Sequence, residues 1–532
     1  MSTLLPQLIA QTARRTPDAP ALHFKQDTLS YAELDRAVSQ AANVFLGLGL
    51  APDERVAVYL PKQFETVFAI YGAARAGGVF VPVNPLLKAP QVAYILKDCN
   101  VRILVTSRER LEQLTQVLPD CHDLHTVLVV NPDGALTRLA RIDIASWPRH
   151  MADALEALPH RRIDADLTSI LYTSGSTGNP KGVVLSHRNM VAGALSVAEY
   201  LNNTPDDRIL AVLPFSFDYG LSQMSTAFSR GASVVLFEYL LPRDVVRAVA
   251  QYRITGLAAV PPLWVQLAQL EWPDEAKQSL RYITNSGGAM PTATVNALRT
   301  TLPTTQVFLM YGLTEAFRST YLAPEELDRR PGSMGKAIPN AEILVVREDG
   351  ELCGPNEPGE LVHRGALVAQ GYWNAPDKTA ERFKPLPHSW PGCHPEIAVW
   401  SGDTVRMDED GFLYFIGRKD DMIKTSGYRV SPTEVEEVVY SHPEVSEVAA
   451  IGVPHPQLGQ AIVLVIQPSA MNLFHEDAVL KHCKARLPGF MQPTRFVLRE
   501  VLPRNPNGKI DRKALASEYE GLFADLFAAL ER

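Results

Sequence analysis

The sequence predicts an α/β protein with three textures in chain order: layered strands and helices, an antiparallel β region, and a small α/β unit. Three observations carry this. Short β-branched runs alternate with helical patterns over most of the 532 residues, as in parallel α/β layers. From Ala341 the runs shorten and Asp-Gly and Pro-Gly turns separate them, as in antiparallel sheets. Past the charged, glycine-containing stretch "GRKDDMIKTSGYRVSP" (residues 417–432) the pattern runs helix, two strands, helix, strand, a unit of about 110 residues.

Each element follows from its residues. "MSTLLPQLIAQTARRTPD" lacks a basic start, and Pro6 and Gln7 break its apolar run. It reads as an amphipathic helix and not a secretory leader. "RVAVYL" (55–60) is a buried strand, "ETVFAIYGAARAG" (65–77) a helix, and "GVFVPV" (78–83) the next strand. "RILVT", "TVLVV", "RILAVLP", "SVVLF" and "GLAAVPP" repeat the theme. "AEILVVREDGELCGPNEPGELVHRG" gives the antiparallel strands. In the last unit Ser431 is placed to cap the helix "PTEVEEVVYSH", with Pro432 at its first position and Glu434 completing a capping box. Strands "EVAAIGV" and "AIVLVIQP" follow.

Composition bounds the function. The chain is 46% hydrophobic and 21% charged, enough to bury sizeable cores in about two to four domains. A net charge of −8 argues against nucleic-acid binding by bulk charge. Cys99, Cys121, Cys353, Cys393 and Cys483 lie far apart with no ligand spacing, the usage of a reduced, cytoplasmic protein. No run of about 18 apolar residues offers a membrane span. The expectation is a cytoplasmic globular protein, monomeric or homodimeric.

The chemistry begins at "LYTSGSTGNPKGVVLSH" (171–187). Gly175, Gly178 and Gly182 let backbone approach a ligand, and successive N–H groups there can form an anion nest. Thr173, Ser174, Ser176 and Thr177 add hydroxyls and Lys181 a mobile cation. These are the groups that hold a polyphosphate. Pro180 stands where a Walker A loop needs its GK[ST], which excludes a P-loop NTPase. A strand, "GVVLSH", follows the loop, with a helix starting near Ser186, so the arrangement is a β-loop-β hairpin.

This stretch resembles the phosphate-loop signature of the AMP-forming adenylating superfamily: acyl-CoA synthetases, adenylation domains and luciferases. The resemblance covers essentially the whole chain. "YGLTE" (311–315), "WSGD" (400–403), "GRKDDMIKTSGYRVSP" and "PRNPNGKIDR" (503–512) resemble its later signatures in order. It implies a large N-terminal domain (1–417) with a β-barrel-like region (341–417), a hinge (418–422) at Asp420, and a mobile C-terminal domain (423–532). It also implies ATP, Mg²⁺ and a pantetheine thiol, from CoA or a carrier protein.

Site roles are carried by the same resemblance. Residues 173–181, with Lys181, would wrap the β- and γ-phosphates, and Glu315 would hold Mg²⁺. Thr314 would bond the α-phosphate. Tyr311 and Gly312 would meet adenine, with Gly287, Gly288 and Ala289 beside it. Asp403 would accept the ribose hydroxyls, assisted by Arg418. Lys509 would bridge the acid carboxylate and the α-phosphate, where two anions must meet. After rotation of the small domain, Ser426 and Gly427 would line the thiol channel. Taken alone, each has a plain alternative: Asp403 a turn former, Lys509 a solvated turn lysine, Glu315 a surface or helix-start residue.

The acid is less legible. "LPFSFDYGLSQ" (213–223) puts Phe217 where many fatty acyl-CoA synthetases have His, and Asp218 where amino-acid-activating domains pair with the substrate ammonium. Asp218 as a helix cap or tyrosine partner stays open. Arg318 falls near the acyl pocket, to meet a second acidic group, to pair with Asp218, or to serve the structure. Trp264 and Asn285 are further pocket candidates. The chain looks closest to acyl ligases associated with exosortase systems, and is similar to stand-alone prolyl-carrier-protein ligases. The leading expectation is an acid–thiol ligase, with a stand-alone amino-acid adenylase as its alternative. With no carrier domain before Arg532, a carrier protein is expected in trans. Glu315 and Lys509 argue against a decayed, non-catalytic relative.

Overall fold

The computed structural model describes residues 2–134, 139–173, 180–387, 396–418, 422–425, 428–506 and 508–525. The described strands form sheets of seven, fourteen and five strands. In the seven-stranded sheet the order is Asp143–Ser146, Thr126–Val129, Val101–Thr106, Arg55–Tyr59, Val79–Pro82, Leu167–Thr173, Lys181–Ser186. All neighbours are parallel except the last pair. That last pair is the expected hairpin, with Thr173 opposite Lys181. The helix His187–Tyr200 follows directly, because Ser186 and Asn189 form a capping box at its start.

The fourteen-stranded sheet holds a second set of parallel strands, from Pro20–Phe24 through Ser233–Leu236, Arg208–Ala211, Gly256–Ala259 and Tyr282–Asn285 to Gln306–Tyr311. Thr320–Leu322 and Ser333–Ala337 then run antiparallel and pass the sheet on to Leu413–Arg418, Ile397–Met407, Gly359–Gly365 and Ala341–Val346. This corrects the barrel-like expectation. Among the described strands no barrel closes, because Ser333–Ala337 pairs with the main sheet on one side and with Leu413–Arg418 on the other. The β region is an open continuation of the large sheet.

The five-stranded sheet has Gly459–Pro468 near its centre, antiparallel to Val445–His455 and parallel to Arg495–Leu498. Val445–His455 feeds two cores by alternation: Val448 and Ala450 face Val435, Val439 and Val479, while Ala449, Ile451 and Val453 face Leu502 and Leu515. Burial on both faces explains its near-continuous apolar sequence. The capping box at Ser431 does not form. Pro432 does start the helix Pro432–Tyr440, but the Ser431 hydroxyl pairs with that of Thr433 at 2.8 Å. A nearer hydroxyl has displaced the expected backbone partner.

Gly335 makes the joint of the large sheet possible. Its φ is +85, and a Cβ there would lie 1.8 Å from the Tyr321 carbonyl oxygen. Gly335→Ala is expected to destabilise the protein by about 2 kcal/mol or more, read as a lowered midpoint in thermal unfolding; an unchanged midpoint removes this close approach as a constraint.

Candidate active site

The site is assembled from the carboxyl ends of the large sheet. Gln306–Tyr311 ends in the short helical turn Thr314–Ala316, and Asp218 begins the helix Asp218–Arg230. The Thr314 hydroxyl, expected at the α-phosphate, donates to Asp218 Oδ1 at 3.0 Å. Asp218 is buried, and burial pushes its carboxyl up, opposed by Arg318, Thr314 and Lys509. Arg318 is 1% exposed. It donates to Ser286 Oγ at 3.1 Å and to Ser222 Oγ at 3.3 Å, with its guanidinium 4.7 Å above the Tyr219 ring. Its Nε is buried without a partner.

Lys509 reaches this pocket from the C-terminal unit. Asn505 N–H bonds the Lys509 carbonyl at 2.8 Å, and Lys509 N–H bonds Asn505 Oδ1 at 3.1 Å. This closes a turn between Arg504 and Ile510, with Gly508 at φ +81. Asn84 docks the turn by donating to the Pro506 carbonyl at 2.9 Å. The Lys509 amine stands 5.6 Å from the Phe217 ring centroid. A Cβ on Gly287, which has φ +83, would be 2.8 Å from Lys509 Cε, so glycine is what lets the lysine in. Burial depresses the Lys509 amine below the usual lysine range, with Asp218 the first group opposing the shift.

Tyr311 Oη donates to Asp403 Oδ2 at 2.5 Å and Arg418 Nε to Asp403 Oδ1 at 2.9 Å. Each carboxylate oxygen keeps lone-pair capacity for a further donor. Gly312 packs against Arg318, while Gly288 and Ala289 are exposed beside the pocket. Glu315 Oε1 accepts from Tyr372 Oη at 2.6 Å, and the Lys181 amine stands 5.1 Å from the Tyr372 ring. Desolvation and the nearby cations Lys378 and Arg382 depress Lys181.

Several candidates take other positions. Trp264 is fully buried, and its Nε1 donates to the carbonyls of Ala259 and Thr284 at 3.0 and 3.1 Å. It braces strand Tyr282–Asn285 from behind. Asn285 donates to the Gly288 carbonyl at 3.0 Å and leaves its Oδ1 buried without a partner. Ser174, Gly175, Ser176, Thr177, Gly178, Asp420, Ser426 and Gly427 lie outside the described residues.

Sequence reasoning missed Tyr372, Tyr219 and Ser222. Ser222 was findable, because a helix starting at Asp218 puts residue 222 on the same face one turn later. Tyr372 carries no such signal. It arrives because Gln370 and Trp373 pair their N–H groups with the Val184 and Gly182 carbonyls, contacts between segments far apart in the chain.

The sequence profile of the AMP-binding enzyme family matches residues 9–373, and that of the AMP-binding enzyme C-terminal domain matches residues 434–509. The chain belongs to the AMP-binding enzyme family. It is 31% identical to a long-chain-fatty-acid–CoA ligase of Salmonella typhimurium, over 97% of this chain and 95% of that protein. It is 29% identical to a linear gramicidin synthase of Brevibacillus parabrevis over 98% of this chain, but spans only 10% of that protein. Among solved structures it is similar to ATP-bound MatB from Rhodopseudomonas palustris, with a TM-score of 0.86, 27% identity, and coverage of 97% of this chain and 99% of that one. No helix among the described residues is long and apolar enough to cross a membrane.

Asp403→Ala is expected to weaken AMP binding by about 2 kcal/mol, the worth of hydrogen bonds to a charged acceptor. Isothermal titration calorimetry reads this directly, and unchanged affinity would take Asp403 out of the nucleotide site.

Proposed function

We propose that this AMP-binding enzyme is an acid–thiol ligase. It activates a carboxylic acid as acyl-AMP with release of pyrophosphate, then passes the acyl group to a pantetheine thiol and releases AMP. One observation carries the reading. The Lys509 amine lies beside Asp218, Phe217 and Gly287 with no side-chain hydrogen bond or ion pair among the described residues. A cation held there without a partner suits two anions that must be brought together, the acid carboxylate and the α-phosphate.

The surrounding groups fit the same chemistry. Glu315 would hold Mg²⁺. Tyr372 fixes one of its oxygens, and among the described residues no cluster of three metal-ligating side chains exists. That suits an ion bound by few carboxylates together with phosphates. Bound there, Mg²⁺ would offset phosphate charge. Asp403, Tyr311 and Arg418 orient the nucleoside, and Lys181 meets the departing pyrophosphate.

We read residues 1–417 as the adenylating domain, 418–422 as the hinge and 423–532 as the small domain. Lys509 and strand Ile423–Thr425 belong to the same small unit. A turn about Asp420 that brings residues 424–430 to the acyl-AMP therefore withdraws Lys509. The thiol belongs to CoA or to the phosphopantetheine of a carrier protein. A second reading, an amino-acid adenylase, is favoured by Asp218: among the described residues its one side-chain hydrogen bond is to Thr314, which leaves it suited to a substrate ammonium.

Two measurements test the first reading. Lys509→Ala should lower ATP–pyrophosphate exchange by roughly 10²- to 10³-fold and leave thioester formation from supplied acyl-AMP largely intact; equal loss in both steps refutes the assigned role. Exchange needs the protonated amine, and burial lowers the pH at which the proton is lost. Activity should therefore be full on the acid side and fall as pH rises through a value below the ordinary lysine pKa of about 10.4. Lys509→Arg should remove that alkaline limb from the exchange profile; a limb that survives the substitution belongs to another group.

A further inference from the structure

We propose that the activated acid is short and carries a second carboxylate in its tail, and that Arg318 is the residue that selects it; this rests on the ligase reading above. A buried guanidinium ordinarily has a carboxylate partner. Arg318 has none within ion-pairing reach among the described residues. Its two terminal nitrogens meet only neutral hydroxyls, Ser286 and Ser222, and its Nε meets nothing. Asp218 and Arg318 interact only through space, and Asp218 Oδ1 accepts from Thr314. The Tyr219 ring, held by a 2.6 Å hydrogen bond to Thr284, lies under the guanidinium and fixes its plane. A flat fork with an unused donor is a receptor for a planar carboxylate.

The geometry also sets the tail length. Ser286, on Arg318, is the residue before Gly287, against which Lys509 lies. The reacting carboxylate at Lys509 and the group at Arg318 are therefore separated by the span of one residue and its side chain. The fully buried Tyr219 ring covers one face of the guanidinium. A long alkyl chain would have to lie against the guanidinium, removing its chance of solvation and offering no acceptor. Asn285 Oδ1, also buried and unpaired, adds a place for a donor on the same small substrate.

The test is ATP–pyrophosphate exchange by the full-length enzyme with matched acids. The set holds aspartate and glutamate, succinate and glutarate, the uncharged asparagine, glutamine and norvaline, and octanoate and benzoate. Acids with a second carboxylate should exceed their uncharged counterparts by roughly 10²-fold or more in kcat/KM, as a polar site rejects analogues that leave it unpaired. Arg318→Met should abolish that preference mainly through KM, and Arg318→Lys should restore part of it. The wild-type ranking decides even if a variant fails to fold. A preference for asparagine, norvaline, octanoate or benzoate overturns the inference and leaves the ligase reading standing; no exchange with any acid overturns both. Amine-bearing against amine-free dicarboxylates separately reads what Asp218 recognises.

Discussion

The site depends on one strained turn. Phe317 has a φ of +55, a left-handed conformation that is costly for a bulky residue. What holds it there is space. Its ring occupies the volume beside Gly193, where a Cβ would come within 2.3 Å of it. Gly193 lies in the helix His187–Tyr200, which leaves directly from the hairpin of Leu167–Thr173 and Lys181–Ser186. The turn and the hairpin are thus keyed to each other by a single ring. Ala369 N–H bonds the Glu315 carbonyl, and Gln370 N–H bonds the Val184 carbonyl, so the segment that supplies Tyr372 is tied to both. Groups from distant parts of the chain thus meet at this one turn.

The second organising fact is charge left unfinished. Asp218 and Arg318 are buried and Lys509 is mostly so, yet among the described residues none of the three ion-pairs with another protein group. Elsewhere the same chain completes such pairs. Asp207 receives Arg281, Thr255 and Asn203, and Glu436 receives Arg512 through both oxygens. The contrast separates charges that build the fold from charges held ready for a ligand. Ordering them in advance places the reorganisation cost in folding and not in each turnover.

The parallel strands were legible because buried parallel sheets write themselves as apolar β-branched runs between helices. The hairpin was legible from spacing, since Pro180 excluded the Walker pattern and the strand after it excluded a direct helix. The joining of the β region to the large sheet was not. Strand pairing depends on which edges remain free, and that is settled by Gly335 and its neighbours across the fold. The Ser431 cap failed for a similar local reason, a competing hydroxyl two residues away. Tyr372 had no signature at all, because its role exists only through backbone pairing with strand Lys181–Ser186.

Arg318 and Glu315 are three residues apart on the same strained turn. The residue proposed to recognise the acid's far end and the carboxylate proposed to hold Mg²⁺ therefore share a backbone. Anyone redesigning this enzyme for a different acid would find residue 318 a poor place to start, since any change that relaxes the turn also moves Glu315. Ser222, on a helix that belongs to neither the turn nor the hairpin, is the more separable position. The same coupling would channel natural drift in substrate choice toward that helix and away from the turn.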